Sequence, residues 1–330
     1  MANHFNTYLQ YKKRVDEILT DSIIKQKPAT LYEPLVYVLN GGGKRIRPMM
    51  LIFSCEAVGG KIEDALNASV ALEMLHNFTL VHDDIMDNAN TRRGRQTVHK
   101  KWNENVAILT GDHLIGLAYS YLIKTKSPEL TEIIKSFTDG IVEVCEGQSF
   151  DKEFEERNDV KIDEYIMMIK KKTAKMLETS AIVGALIGNG SPEQVDNIRN
   201  YAANIGLAFQ IQDDLLDINA DESEFGKKIG GDLVEGKKTY LLLKAMEAVD
   251  DEKDKQEIIN IVNKTGLKPD DTEKILKIKN IYEKYGVIES AQKEIERYTK
   301  LADKYLNTLP DGDQKERLKW FSEMLMGRIF

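Results

Sequence analysis

The chain has 330 residues, 42% of them hydrophobic, and a formal net charge of −8. That is enough apolar material for a sizeable core, and the negative balance argues against non-specific attraction to nucleic acid. No run approaches the roughly 20 apolar residues of a membrane span, and the opening MANHFNTYLQYKKRVDEIL carries no signal-peptide hydrophobic region, so a cytoplasmic protein without a membrane span is expected.

Apolar residues recur mainly at three- and four-residue spacing, and strand alternation is hard to find. This pattern predicts helices over 6–25, 29–39, 47–58, 63–87, 104–124, 128–150, 161–189, 192–219, 238–263 and 271–327, the last of them broken. Only 7 prolines occur, which favours long uninterrupted helices. Pro48 and Pro192 stand where a helix's first turn accepts them, and Asn189-Gly190 is a stop signal ahead of Pro192. Cys55 and Cys145 each lie in an apolar stretch and read as buried thiols in a reducing compartment. The segment from Ala202 to Ile218 is apolar on nearly all sides and belongs in the middle of a bundle. Two glycine-rich breaks interrupt the helices, one at Asn40-Gly-Gly-Gly-Lys-Arg-Ile-Arg-Pro48 and one from Glu224 to Thr239. No linker composition or repeat is visible, and one all-α domain spanning 1–330 is the simplest expectation.

The chemistry is carried first by His82-Asp83-Asp84-Ile85-Met86-Asp87, followed by Thr91-Arg92-Arg93-Gly94. Asp83 and Asp87, four apart, share a helix face. Carboxylates this close raise one another's pKa unless a cation sits between them. The hard magnesium ion suits such a set, above all when phosphate oxygens complete its shell. Asp213-Asp214-Leu215-Leu216-Asp217 repeats the spacing about 130 residues further on and also ends a strongly apolar helix. Two such helices packed together can place both triads at the mouth of one cavity. Lys44 and Arg47 in the first break, Arg92 and Arg93 after the first triad, Lys172, and Lys227 and Lys237 in the second break read as diphosphate clamps.

With these motifs assembled, the sequence resembles the trans-isoprenyl diphosphate synthases, or polyprenyl synthetases. The resemblance runs from about Gly41 to Thr239 and rests on GGGKRIRP, DDIMD with TRRG, Gly147-Gln148, Lys172-Thr173, FQ with DDLLD, and GKKIGGDLVEGKKT. It implies an all-α bundle around a deep central cavity, usually a homodimer. It implies that Asp83, Asp87 and Asp213 hold several magnesium ions, for which manganese can substitute, with Asp84, Asp214 and Asp217 in support. Arg92, Lys172 and Lys227 would grip the allylic diphosphate, with Lys237 nearby. Lys44, Arg47, His76 and Arg93 would hold isopentenyl diphosphate. Thr173, Gln210 and Gln148 would lie beside the reacting carbons, and Asp151 behind the metal site. The break from Glu224 to Thr239 is expected to act as a lid. Family members often end in a basic tail, whereas this chain ends Met-Gly-Arg328-Ile-Phe330.

Product length is expected to depend on Phe78, five residues before Asp83 and therefore roughly 7.5 Å below it along a helix, with Leu75 one turn deeper. An aromatic at this offset goes with short products in the family. The small Thr79 and an uninterrupted DDIMD resemble the geranylgeranyl-type enzymes, implying a twenty-carbon product ahead of fifteen carbons or longer chains. Three rivals are weaker. A class I terpene cyclase needs no second diphosphate site, a di-iron bundle needs a second partner for Glu73-Met-Leu-His76, and a non-catalytic subunit loses aspartates that are intact here.

Overall fold

The structure, a computed structural model, describes residues 2–23, 27–219, 230–262 and 271–327. In chain order the helices are α1 (Ala2–Asp21), α2 (Ala29–Leu39), α3 (Ile46–Ala57), α4 (Ile62–Met86), α5 (Val98–Lys101), α6 (Glu104–Leu122), α7 (Leu130–Glu156) and α8 (Ile162–Ile169). A π-helical turn over Lys170–Ala174 leads into α9 (Lys175–Ile187) and α10 (Pro192–Asn219). After these come α11 (Gly231–Glu235), α12 (Tyr240–Ala248), α13 (Glu252–Val262), α14 (Thr272–Lys284), α15 (Val287–Leu306) and α16 (Asp313–Gly327). The all-α expectation holds. Among the described residues the one sheet is a minimal antiparallel hairpin, β1 (Thr91–Arg92) with β2 (Arg95–Gln96). No helix among them is long and apolar enough to cross a membrane.

The chain forms two compact units. The first comprises Met1–Thr138, Thr179–Ile198 and Leu309–Phe321, and the second Asp139–Glu178, Arg199–Thr308 and Ser322–Phe330. In the first unit α4 is the central helix. Ala65, Ala68, Val70, Ala71, Leu72, Met74 and Leu75 are all fully buried, because its apolar residues cover every side rather than one stripe. It packs against α3 and α6. Gly111 of α6 permits the close approach, since a β-carbon there would lie 2.2 Å from His82 Nε2.

In the second unit the core gathers around α10 and α12, with Ile211, Tyr240, Leu242, Ile278 and Tyr282 buried together. The π turn is pinned from two sides. A β-carbon on Gly147 of α7 would come within 2.3 Å of the Lys172 backbone nitrogen, and one on Gly206 of α10 within 2.5 Å of Ala174 Cα. Two neighbouring backbones therefore touch this turn where no side chain fits.

Several boundaries differ from the sequence expectation. The first helix starts at Ala2 and stops at Asp21, earlier than 6–25. The helix expected over 161–189 contains the π turn, and that over 238–263 divides near Val249. The region 271–327 breaks at Gly286, which adopts φ 66°, a left-handed value that favours glycine. Cys55 is buried as expected, but Cys145 is exposed. The apolar neighbours of Cys145 misled the reading, because Val144 next to it turns inward and one helical step of about 100° carries Cys145 to the surface.

Candidate active-site residues

The two aspartate triads end α4 and α10, one in each unit, and behave alike. In each, the first and third acids (Asp83 and Asp87, Asp213 and Asp217) are half-buried, while the middle one is buried: Asp84 is 4% exposed and Asp214 5%. The cause is helical. Positions i and i+4 share a face, and i+1 is turned about 100° into the core. Arg92 Nε donates to Asp84 Oδ1 at 2.7 Å, tying the hairpin to the end of α4. Asp214 accepts three donors: Tyr165 Oη at 2.5 Å, Gln210 Nε2 at 2.9 Å and the Tyr240 backbone N–H at 3.2 Å.

Around the first triad the first unit concentrates positive charge. Arg45, Arg47, Arg92 and Arg93 all lie close enough to lower the pKa of His76, after burial as the largest cause, so His76 is neutral and well below its usual range. Arg47 itself falls to about 10, through burial first and Arg93 among the charges, with Glu73 opposing. Arg47 Nε and His76 Nδ1 are buried without a hydrogen-bond partner among the described residues. Buried donors left unmatched beside crowded cations are what an anionic ligand satisfies. Arg93 reaches back to donate to the Gly42 carbonyl. Its guanidinium would lie 2.9 Å from a β-carbon on Gly43, whose φ is 143°, so the glycine run lets the loop fold over the arginine. Lys44 is exposed on this loop.

Arg45, between Lys44 and Arg47, points the other way. Its left-handed φ of 52° turns the side chain inward, where Nη1 meets Glu73 Oε1 at 2.6 Å and Nε meets Asp16 Oδ1 at 2.7 Å. Sequence reasoning passed over Arg45 and assigned Glu73 only to a rejected metal motif, yet this pair ties the glycine-rich break to α1 and α4. Further down α4, Leu75 is fully buried, Phe78 is 8% exposed with its ring 4.8 Å from that of His82, and the Thr79 hydroxyl donates to His76 O at 2.8 Å.

The second unit assembles a pocket of mixed charge, lined by Asp151, Lys172, Thr173, Gln210, Asp214 and Lys237 among others. These residues come from four separate segments, each singled out on sequence. Lys172 Nζ meets Asp151 Oδ2 at 2.6 Å, Thr173 Oγ1 donates to Gln210 Oε1 at 2.8 Å, and Lys237 Nζ lies 2.6 Å from Glu235 Oε2. Gln148 is buried with both amide atoms lacking partners among the described residues. Asp232, which sequence reasoning left unassigned, gives its backbone N–H to Asp217 Oδ2 at 3.0 Å. Burial, then the charge of Asp232, pushes Asp214 up to about 7 and Asp217 up to about 6. Lys227, Arg328 and residues 224–229 of the expected lid lie outside the described residues.

Magnesium fits this donor set on its chemistry. All the candidate ligands are carboxylate oxygens, and the acids of the second unit crowd one another's charge as a cation would relieve. Among the described residues no three His, Cys, Asp or Glu side chains form a ready-made cage.

A family model described as polyprenyl synthetase matches residues 28–279. The chain is 38% identical over 320 residues to a short chain isoprenyl diphosphate synthase of Methanothermobacter thermautotrophicus, covering 97% of each. It is 37% identical over 332 residues to a geranylgeranyl diphosphate synthase of Sulfolobus acidocaldarius, covering 99% of this chain and 98% of the other. Among solved structures, a geranylgeranyl pyrophosphate synthetase from Pyrococcus horikoshii matches with a TM-score of 0.92 at 36% identity, over 98% of both chains.

Proposed function

The chain belongs to the polyprenyl synthetase family, and from that premise we propose that it condenses isopentenyl diphosphate with an allylic diphosphate to give a short all-trans product of twenty carbons. The observation that carries this reading is that each unit sets an acid triad beside basic groups. In the first, four arginines crowd around a neutral His76 whose Nδ1 has no hydrogen-bond partner among the described residues, with Asp83 and Asp87 at the end of the same helix. In the second, Asp232 raises both Asp214 and Asp217, and Lys172 and Lys237 line the same pocket as Asp214. Acids and cations set together in this way suit a diphosphate held through divalent ions.

In this mechanism Lys44, Arg47, His76 and Arg93 bind isopentenyl diphosphate, and Arg92, Lys172, Lys227 and Lys237 bind the allylic diphosphate. Asp83, Asp87 and Asp213 would hold magnesium, with Asp217 in support, and the ions would neutralise charge on the departing diphosphate. The allylic carbon–oxygen bond breaks with its electron pair leaving on diphosphate. The alkene of isopentenyl diphosphate then forms the new carbon–carbon bond, and a proton passes to the released diphosphate. The protein needs no nucleophile. Its part is to place cations where negative charge develops and to keep water from the allylic cation with apolar helix walls.

The test is a product assay by chain length, supplying isopentenyl diphosphate with allylic starters of five to fifteen carbons and magnesium. Twenty-carbon product is expected. Phe78→Ala should shift the distribution toward longer chains, because the ring it removes is one of the largest groups buried on α4. A mutant whose products match the parent's moves the length determinant elsewhere. The proposal includes a cytoplasmic homodimer, as the family resemblance implies. Ile108 at 44% and Leu109 at 59% exposure offer apolar surface on α6, and a light-scattering mass of one chain would remove that part.

A further inference from the structure

We infer that Tyr165 and Asp214 are positioning residues that set the polarity of a hydrogen-bond chain ending at Thr173, so that the Thr173 hydroxyl presents only oxygen lone pairs to the allylic carbon. What Thr173 faces rests on the prenyl-transfer reading above. The direction of the chain rests on the structure alone.

Both carboxyl oxygens of Asp214 serve as acceptors. Asp214 Oδ2 takes the Tyr165 hydroxyl at 2.5 Å and the Tyr240 backbone N–H at 3.2 Å, which leaves Oδ1 for Gln210 at 2.9 Å. The Gln210 amide must therefore turn its nitrogen to Asp214 and its oxygen to Thr173. That oxygen, 2.8 Å from Thr173 Oγ1, accepts the one proton the hydroxyl has. Thr173 is left as an acceptor toward anything else that approaches it. An allylic cation is stabilised by the negative ends of fixed dipoles. A hydroxyl free to rotate would present its hydrogen as readily as its lone pairs. The chain removes that choice before the substrate ionises, and Thr173 has little room to shift because Gly147 and Gly206 clasp its π turn.

Burial supports the division of labour. Tyr165 is 2% exposed and Asp214 5%, less open than the half-buried Asp213 and Asp217. Asp214 belongs to the metal motif by sequence and to the hydrogen-bond chain by geometry.

The experiment compares steady-state kinetics of the full-length parent, Tyr165→Phe and Asp214→Asn, with magnesium titrated for each. Tyr165→Phe keeps the ring and removes one donor from Oδ2, so Asp214 can swing. Asparagine at 214 is more disruptive. Its oxygen is drawn to the two donors from Tyr165 and Tyr240, which leaves its NH2 facing Gln210. The Gln210 amide then flips and the Thr173 hydroxyl is released. Expected are losses in kcat of about tenfold for Tyr165→Phe and about a hundredfold for Asp214→Asn. Both KM values and the half-saturating magnesium should stay within about twofold of the parent, which a merely structural role or a ligand role would not leave intact. Thr173→Ser should keep most of the parent's turnover and Thr173→Val should lose it, which holds the test open if Asp214→Asn folds poorly. A Tyr165→Phe enzyme as fast as the parent overturns the inference. So does an Asp214→Asn enzyme whose turnover returns at high magnesium, because Asp214 would then be a ligand. If the parent itself makes no prenyl product, the proposed function fails with it.

Discussion

Asp213→Ala is expected to lower turnover by at least about a hundredfold, the usual scale for removing a group that stabilises charge in the transition state. Asp213 and Asp214 are adjacent on α10, yet their surroundings assign them different work. Asp214 is buried under three internal donors, whereas Asp213 lies half-buried on the same face as Asp217, four residues on. Alanine at 213 therefore removes the oxygen donor proposed for magnesium without unpicking the chain through Tyr165 and Gln210. The loss should appear in kcat, with a higher magnesium concentration needed for half-maximal rate. A chelator should abolish the parent's activity. Acid should weaken metal binding as well. Asp217 is raised to about 6, so its protonated fraction grows as pH falls from 8 to 6 and competes with the cation. Calorimetric titration of magnesium into the protein at those two pH values is expected to show weaker binding at pH 6. Binding that is equal at both would remove Asp217 from the metal site, and full turnover in excess chelator would remove the metal from the reaction.

Glu73→Ala is expected to cost about 3–5 kcal/mol of stability, because it strands a buried cation. The Arg45 and Glu73 side chains are 3% and 2% exposed and meet at 2.6 Å. The partners left to Arg45 would be Asp16, which is 38% exposed, and the Leu39 carbonyl, which accepts from Nη2 at 3.3 Å. Glu73 also accepts from Asn77 Nδ2, at its carbonyl at 2.8 Å and at Oε1 at 3.3 Å, so truncation unsettles α4 two turns before the first triad. The melting temperature should drop by roughly 10 °C in a chain of this size. Glu73→Gln, which keeps an acceptor of the same shape, should lose less. Replacing Arg45 by Met together with Glu73 by Leu should recover part of the loss, since no charge is then left buried. A Glu73→Ala protein that melts with the parent would show that Asp16 and solvent satisfy Arg45 unaided.

Much of the helical plan was legible in the sequence. The stretch from 63 to 87 and the stretch from 192 to 219 read as helices from their apolar spacing, and the structure gives Ile62–Met86 and Pro192–Asn219. The hairpin at 91–96 was not legible, because two-residue strands leave no alternation to detect. It is closed by Arg93 and Gly94 with φ of 52° and 72°. The π turn was equally invisible. Lys170–Ala174 has no local signal for it, and the glycines that clasp it, Gly147 and Gly206, belong to other helices.

By itself the sequence determined an all-α chain with two repeated acid triads, because helical periodicity and acid spacing are local properties of consecutive residues, and its motifs from Gly41 to Thr239 carried the resemblance to the polyprenyl synthetases. It also determined that Asp83 pairs with Asp87 and Asp213 with Asp217, since the helical repeat puts i and i+4 on one face. Only the tertiary structure decided what becomes of the acid between them. Asp84 is bound by Arg92 of the hairpin, and Asp214 by Tyr165 of α8 and the backbone of Tyr240. Only the tertiary structure separated Arg45, locked to Glu73, from Arg47, whose Nε has no such partner among the described residues. The helical repeat turns a side chain through a known angle, but what waits at that angle comes from residues tens of positions away, and no local pattern encodes it.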